Sequence, residues 1–409
     1  MNERVRGGRN APLDSVRGLA AASVFVFHTS NRIGETHGTP YRLLGHLDIG
    51  VRIFFILSGY LIYRPFVRAH LQRGSGVALG EYAWRRFWRI YPAYWVALAF
   101  AWAVGYIEII GFEGTWKHGL LLRRYFDPEN MGGEGMRESW TLVVEVTLYL
   151  CIPIFALAVR LLGRALRGPR GPVFAEFAAV LGVLTLAFFW LRPFVRAEGA
   201  FAHAGLGRVL EPALLATAAG MLLAVIEAVD LPPGTRERIV RLATPTARWW
   251  IAAGVVFAAL VFWLADDFTT PSNRTAIESD WYNYQWGHSL IATLLVAPLV
   301  LAPGAGGALR RFLSRRELVL LGVVSFSLYL WHIRVLTFFA NRGWLDLGWF
   351  TLVTATVAFA IACGAGWLGQ RWIEQPCARI ASRWPPVERL RVSRSRRPSP
   401  TTPVAGPGS

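Results

Sequence analysis

The stretch LDSVRGLAAASVFVFHTS, residues 13–30, sets ten uncharged residues, Gly18 to Phe27, between polar groups that hydrocarbon rejects. Asp14 and Arg17 stand before the run and His28 after it. Its middle suits a membrane-crossing helix and its ends do not. Ionisable groups inside a span face a cavity or a partner rather than lipid. The segment therefore reads as a helix that crosses the bilayer while lining a polar path. Arg4, Arg6 and Arg9 precede it, as in a secretory signal, but no small-x-small cleavage site follows, so retention is expected.

The rest of the chain agrees with a membrane protein. Of 409 residues, 54% are apolar and 17% charged, and Trp reaches 18 copies, many near the ends of long apolar runs. The net charge of +17 comes from 42 Arg and the single Lys117, dispersed rather than gathered into a nucleic-acid-binding face. Cys151, Cys363 and Cys377 offer no CxxC and no metal-ligand spacing, so neither a metal nor a bound cofactor is expected.

Ten segments have the length and apolarity of a span: 13–31, 47–66, 88–110, 140–160, 173–192, 209–228, 248–265, 287–303, 317–340 and 349–373. With the amino terminus inside, 29 basic residues fall on inner segments and 11 on outer ones, which fixes the orientation. The expected fold is an all-α integral membrane bundle of about ten helices with both termini cytoplasmic. It divides into a basic amino terminus (1–12), a membrane domain (13–380) and a disordered cytoplasmic tail rich in Arg, Pro and Ser (381–409). Residues 64–89 read as a long basic inner loop, and DDFTTPSNRTAIESDWYNYQWG, from Asp266, as an acidic, aromatic outer loop.

Topology turns scattered polar residues into a constellation. His28 ends the first, outward-running helix. Glu145 lies about 9 Å below the outer edge of the inward-running fourth, at 1.5 Å per residue. His332, in SFSLYLWHIRV, occupies the outer third of the ninth. The three share a depth, which fits a site, although each histidine also suits a plain interfacial or helix-packing role. Arg17 lies about 16 Å below His28 along the helix. Alone it would snorkel to the inner surface; paired with His28 it marks the inner mouth of a conduit. Arg86 and Arg89, in WRRFWRIYPAYW, are three apart on one helical face and suit a phosphate-bearing ligand, while basic residues at an inner boundary also serve orientation. Ser58 and Gly59, in FFILSGY, suit close helix packing or passage of a thin ligand.

These pieces together resemble the membrane acyltransferase-3 family. The matching segments are LDSVRGLAAASVFVFH, with Arg17 and His28 in an R-x10-H arrangement; GVRIFFILSGYLI; RRFWRIYPAYW, with its RxxR pair; SWTLVVEVTLY; SFSLYLWH; and IEQP after the last helix. They cover roughly residues 12–380. The resemblance implies transfer of an acyl group, commonly acetyl, from cytoplasmic acyl-CoA to a hydroxyl of a glycan, glycolipid or macrolide in a bacterial plasma membrane. It implies His28 as catalytic base, a functional Glu145, and acyl-CoA handling by Arg17, Arg86 and Arg89, with Ser58 beside the path. The acceptor-side candidates are His332, Trp140, Tyr149, Arg52 and Arg334. Ser15 replaces a usual Gly; Arg52 and Arg334 stand where an acidic residue and Pro are common, implying a basic acceptor pocket.

Chemistry supports the same reading. Deprotonating a hydroxyl near neutral pH suits an imidazole, and Glu145 is placed to orient it and stabilise its charged form. The rival expectation is a transporter or flippase relaying protons through His and Glu, which would not require the inner RxxR pair.

Overall fold

The computed structural model describes residues 10–37, 44–72, 76–126, 136, 138–166, 168–190, 205–264, 274–345 and 350–383. Every regular element among them is helical. Helix α1, Ala11–His37, begins with Pro12 and Asp14 in its first turn, residues that suit a helix start for its orphan donors and dipole. Its 27 residues span about 40 Å at 1.5 Å each. Helix α2, Ile49–Leu71, follows a single 3-10 turn, and α3 is Leu79–Ala103. The short α4, Gly111–Gly119, precedes α5, Ser139–Ala165, and α6, Gly171–Thr185, which runs on into a π turn. Next come α7, Gly205–Ala228, the bent pair α8, Pro233–Ala243, and α9, Thr246–Leu264, and then α10, Arg274–Leu301. The chain closes with α11, Arg316–Ala340, and α12, Thr351–Gly369, which passes through a π turn, Gln370–Glu374, into α13, Gln375–Arg383.

Among the described residues, six helices are long and apolar enough to cross a membrane, or seven if the pair bent by 59° at residues 243–246 counts as one span. The expected ten are not all recovered by this measure. Helices α1 and α3 carry Asp14, Arg17 and Arg32, and Arg85, Arg86 and Arg89, and the apolar stretch of α7 shortens to Ala213–Ala228.

Two expected loops are corrected. Helix α2 continues to Leu71 and α3 starts at Leu79, so the basic segment 64–89 is mostly helical and WRRFWR lies within α3. The acidic outer loop likewise gives way to helix from Arg274. Residues 1–9 and 384–409 lie outside the described residues, and α13 occupies 381–383, the first residues assigned to the tail.

Packing centres on α1 and α2. Helix α1 lies against α2 and α11, α2 against α7, and α12 against α11. Two glycine pairs permit backbone contact. A Cβ on Gly322 would overlap the carbonyl of Asp14, and one on Gly18 would strike the backbone of Leu321 and Gly322. A Cβ on Gly59 would overlap the carbonyl of Thr217, and one on Gly220 that of Ile56. Small residues at such crossings are the membrane route to close van der Waals contact. The outer face of α5 instead exposes Leu150, Ile154, Leu157 and Leu161, an apolar stripe at helical spacing suited to lipid. The same helix therefore turns its other face, with Thr141, Glu145 and Tyr149, toward an interior cavity.

Candidate active site

A cavity of about 290 Å³ lies between α1, α2, α3, α5, α11 and the π turn after α12. Arg17, Ser58, Arg86, Arg89, Glu145 and Tyr149 all line it, so six residues singled out in four motifs share one chamber. Helical spacing explains the grouping. Asp14 and Arg17, Arg86 and Arg89, and Glu145 and Tyr149 are each three or four residues apart on one face. Ser58 and Gly59 divide the two roles open to them: Ser58 faces the cavity, and Gly59 packs against α7.

The chamber holds its arginines by rings and carboxylates. Arg86 lies over Tyr149 at 4.9 Å and over Tyr82 at 5.4 Å. Arg89 lies over Phe326 at 5.2 Å and donates from Nη1 to Oε2 of Glu374 at 2.8 Å. The other carboxylate oxygen of Glu374 accepts the Ser327 hydroxyl at 2.6 Å. Tyr149 donates its hydroxyl to Oε1 of Glu145 at 2.5 Å. Arg17 sits in the combined field of Asp14, Glu145, Glu374 and Arg89. A guanidinium carries five N–H donors in a planar fork, so ring stacking and one carboxylate leave this set suited to an incoming polyanion.

Tyr329 stands at the end of the chamber away from Arg17. Its hydroxyl accepts from Thr141 at 2.8 Å and donates to the carbonyl of Glu138 at 3.2 Å, and its ring meets Phe54 edge-on at 6.0 Å. One turn further along α11, His332 donates from Nδ1 to the carbonyl of Tyr329 at 2.5 Å. The His28 ring lies 5.2 Å from that of His332 and 4.9 Å from that of Phe27. His28 is half-buried and is not among the residues lining the chamber; it sits beyond Tyr329, beside His332.

Shared depth grouped Glu145 with the two histidines. Its hydrogen bond and its lining of the chamber group it with the arginines, because on α5 it shares a face with Tyr149. Tyr149, expected on the acceptor side, lies among the same arginines. Trp140 packs edge-on against Phe55 at 6.0 Å.

The expectation of a basic acceptor pocket meets a different arrangement, since neither Arg52 nor Arg334 lines the chamber. Each is 2% exposed. Arg334 pairs with Glu138 at 2.7 Å and donates to the carbonyls of Leu330 and Ala97. Arg52 lies in the field of Asp48, near His288. Buried guanidiniums require such partners. The sequence reading passed over Tyr329, Glu374 and Glu138 as site residues and named Asp14 only as a polar residue before the first apolar run. Two of these carried a visible signal: Asp14 stands three residues before Arg17, and Glu374 lies in IEQP. Among the described residues, no group of three or more His, Cys, Asp or Glu is arranged to hold a metal ion.

The chain is similar to known proteins along most of its length. A family model described as an acyltransferase domain matches residues 10–368. Nodulation protein 10 of Rhizobium leguminosarum bv. viciae is 24% identical over 408 residues, covering 93% of this chain and 96% of the relative. The O-acetyltransferase OatA of Staphylococcus aureus strain NCTC 8325 is 23% identical over 355 residues. That match covers 82% of this chain and 52% of OatA, so the chain spans about half the length of that relative. A putative O-acetyltransferase of S. aureus strain COL is 24% identical, over 89% of this chain and 56% of its own length. No solved structure matches the chain.

Proposed function

The chain belongs to the membrane acyltransferase-3 family, and from that premise we propose that it moves an acetyl group from cytoplasmic acyl-CoA to a hydroxyl of a cell-envelope carbohydrate or secondary metabolite. The observation that carries this reading is the meeting of Arg17, Arg86 and Arg89 in one chamber whose outer end leads toward two histidines. A thioester with a polyanionic head and a long thin arm fits that division. Its phosphates bind the guanidiniums through charge-assisted bonds, and its arm runs past Ser58 toward Tyr329. The rise from Arg17 to His28, about 16 Å along α1, is of the order such an arm spans. Ten crossings with both termini inside complete the picture, α1, α3 and α7 joining the seven spans that apolarity marks. In that proposed topology the arginine end of the chamber faces the cytoplasm.

Chemistry follows from the base. A neutral His28 nitrogen takes the proton of the acceptor hydroxyl as its oxygen attacks the thioester carbonyl carbon. The tetrahedral intermediate collapses with cleavage of the carbon–sulfur bond. The imidazolium returns its proton to the departing sulfur, leaving an ester, free CoA thiol and a neutral histidine. Glu145, held by Tyr149, sets the charge balance of the arginines that grip the donor. The names of the O-acetyltransferase relatives support acetyl as the group moved.

The test uses purified protein in lipid nanodiscs with radiolabelled acetyl-CoA and a panel of hydroxyl-bearing sugars, glycolipids and macrolides. Label in an ester product, with release of CoA thiol, is the expected result. No thiol release and no labelled acceptor from any member of the panel would contradict the reading.

A further inference from the structure

Two imidazoles from distant parts of the chain meet just beyond the Tyr329 end of the chamber. Helix α1 brings His28 and α11 brings His332, along the line where Gly18 and Gly322 press the two backbones together. His332 is held on both sides. One turn inward Tyr329 is tied to Thr141 and Glu138, and two residues outward Arg334 is locked in its buried pair with Glu138.

The protonation pattern of His332 follows from its partner. A backbone carbonyl accepts and never donates, so the 2.5 Å contact from Nδ1 to the Tyr329 carbonyl requires the hydrogen on Nδ1. In the neutral ring the lone pair is then on Nε2. The residue is 1% exposed, and Nε2 has no hydrogen-bond partner among the described residues. A buried acceptor left in this way calls for an occupant. The ring beside it is His28, with centroids 5.2 Å apart and planes tilted by 42°. Two imidazoles joined by an N–H···N bond of about 2.9 Å have centroids roughly 5 Å apart.

We propose that His332 is a positioning residue for the transfer: its Nε2 accepts an N–H of His28 and so fixes the lone pair of His28 on the nitrogen that meets the acceptor hydroxyl. The proposal rests on the acyltransferase reading above. It gives the base an orienting partner that is an imidazole rather than a carboxylate. When His28 takes the hydroxyl proton, both of its nitrogens carry hydrogen and the bond to Nε2 of His332 is kept. No proton need leave the pair before the sulfur takes one back. Fixing the tautomer of a base through the hydrogen bond at its second nitrogen is the recurrent use of such a partner.

Two substitutions separate this role from plain packing. In His332→Asn the amide nitrogen can still donate to the Tyr329 carbonyl, and the acceptor toward His28 is lost. In His332→Gln an amide oxygen reaches the position of Nε2 and restores that acceptor. The readout is CoA thiol release from acetyl-CoA, with water or a hydroxyl sugar as acceptor, by protein in nanodiscs. We expect His332→Asn and His332→Ala to lower kcat by about 10- to 100-fold, the scale on which an orienting partner contributes. KM for acetyl-CoA should stay within about twofold of wild type, and His332→Gln should recover most of the lost kcat. Should the alanine protein fail to fold, the Asn–Gln contrast carries the test. Equal rates in the Asn and Gln variants, or a loss confined to KM, would overturn the proposal while His28→Ala remained inactive. A wild-type protein that releases no thiol would instead remove the acyltransferase reading on which it rests.

Discussion

Nη1 of Arg89 lies 2.8 Å from Oε2 of Glu374, although 285 residues separate them. The bond ties the RxxR face of α3 to the π turn that ends α12, and Ser327 of α11 fixes the other oxygen of the same carboxylate. Three helices thereby agree on where one guanidinium points. π turns interrupt regular helix at functional sites more often than elsewhere, and this one also brings Gln370 to the chamber wall. The arrangement looks costly for a surface charge and sensible for a donor aimed at a ligand.

Removing either partner should loosen the grip on acyl-CoA. A hydrogen bond to a charged group contributes about 1.5–3 kcal/mol, or roughly 10- to 100-fold in affinity. Arg89→Ala and Glu374→Ala should each weaken acetyl-CoA binding by about tenfold or more in calorimetric titration. Because the second acts through the first, the double variant should bind no worse than Arg89→Ala alone. Fully additive losses would show that Glu374 contacts the ligand by itself.

Gly220 and Gly182 should respond in opposite ways to an added side chain. A Cβ at Gly220 meets the backbone of Ile56 and Tyr60, whereas nothing lies within 4 Å at Gly182. Gly220→Val should abolish recovery of monodisperse protein. Gly182→Ala should be neutral or stabilising by about 0.5–1 kcal/mol, the helix penalty of glycine. Thermal unfolding followed by size-exclusion chromatography distinguishes the two.

The buried pair of Arg334 and Glu138 should behave as a structural element. Deleting one charge strands the other, at a cost of about 3–5 kcal/mol, while replacing both by apolar groups of similar volume is often neutral. Glu138→Ala should lower the melting temperature sharply, and Glu138→Leu with Arg334→Met should restore much of it. If the double variant melts normally but turns over acceptor poorly, Arg334 regains a role in acceptor binding.

How much of this was legible from the residues alone depends on what each feature rests on. Helix α1 was readable because an apolar run with polar ends has few alternatives in a bilayer. The start of α3 was not. WRRFWR carries too much charge for a hydropathy window, yet its Arg86 and Arg89 fall on one helical face, as an interfacial helix requires. Depth along each helix could be counted at 1.5 Å per residue, which put Glu145, His28 and His332 at one level. Rotation about each helix axis could not. The azimuth of α5 turns Glu145 to Tyr149 and the arginines. The contact of α1 with α11 brings His28 to His332. The arginines of the RxxR and R-x10-H motifs line one chamber, and the spacing within each motif is local to a single helix. The partners Glu374 and Tyr329 come from other helices, and no spacing announces them.

Activity of a His28→Ala protein is the most direct measure of whether this imidazole serves a donor that enters from the arginine end. In nanodiscs with labelled acetyl-CoA, the variant should bind the donor with unchanged affinity and lose about 10²- to 10⁴-fold in acyl transfer, the contribution of a positioned general base. Transfer at the wild-type rate by a folded His28→Ala protein would contradict the account.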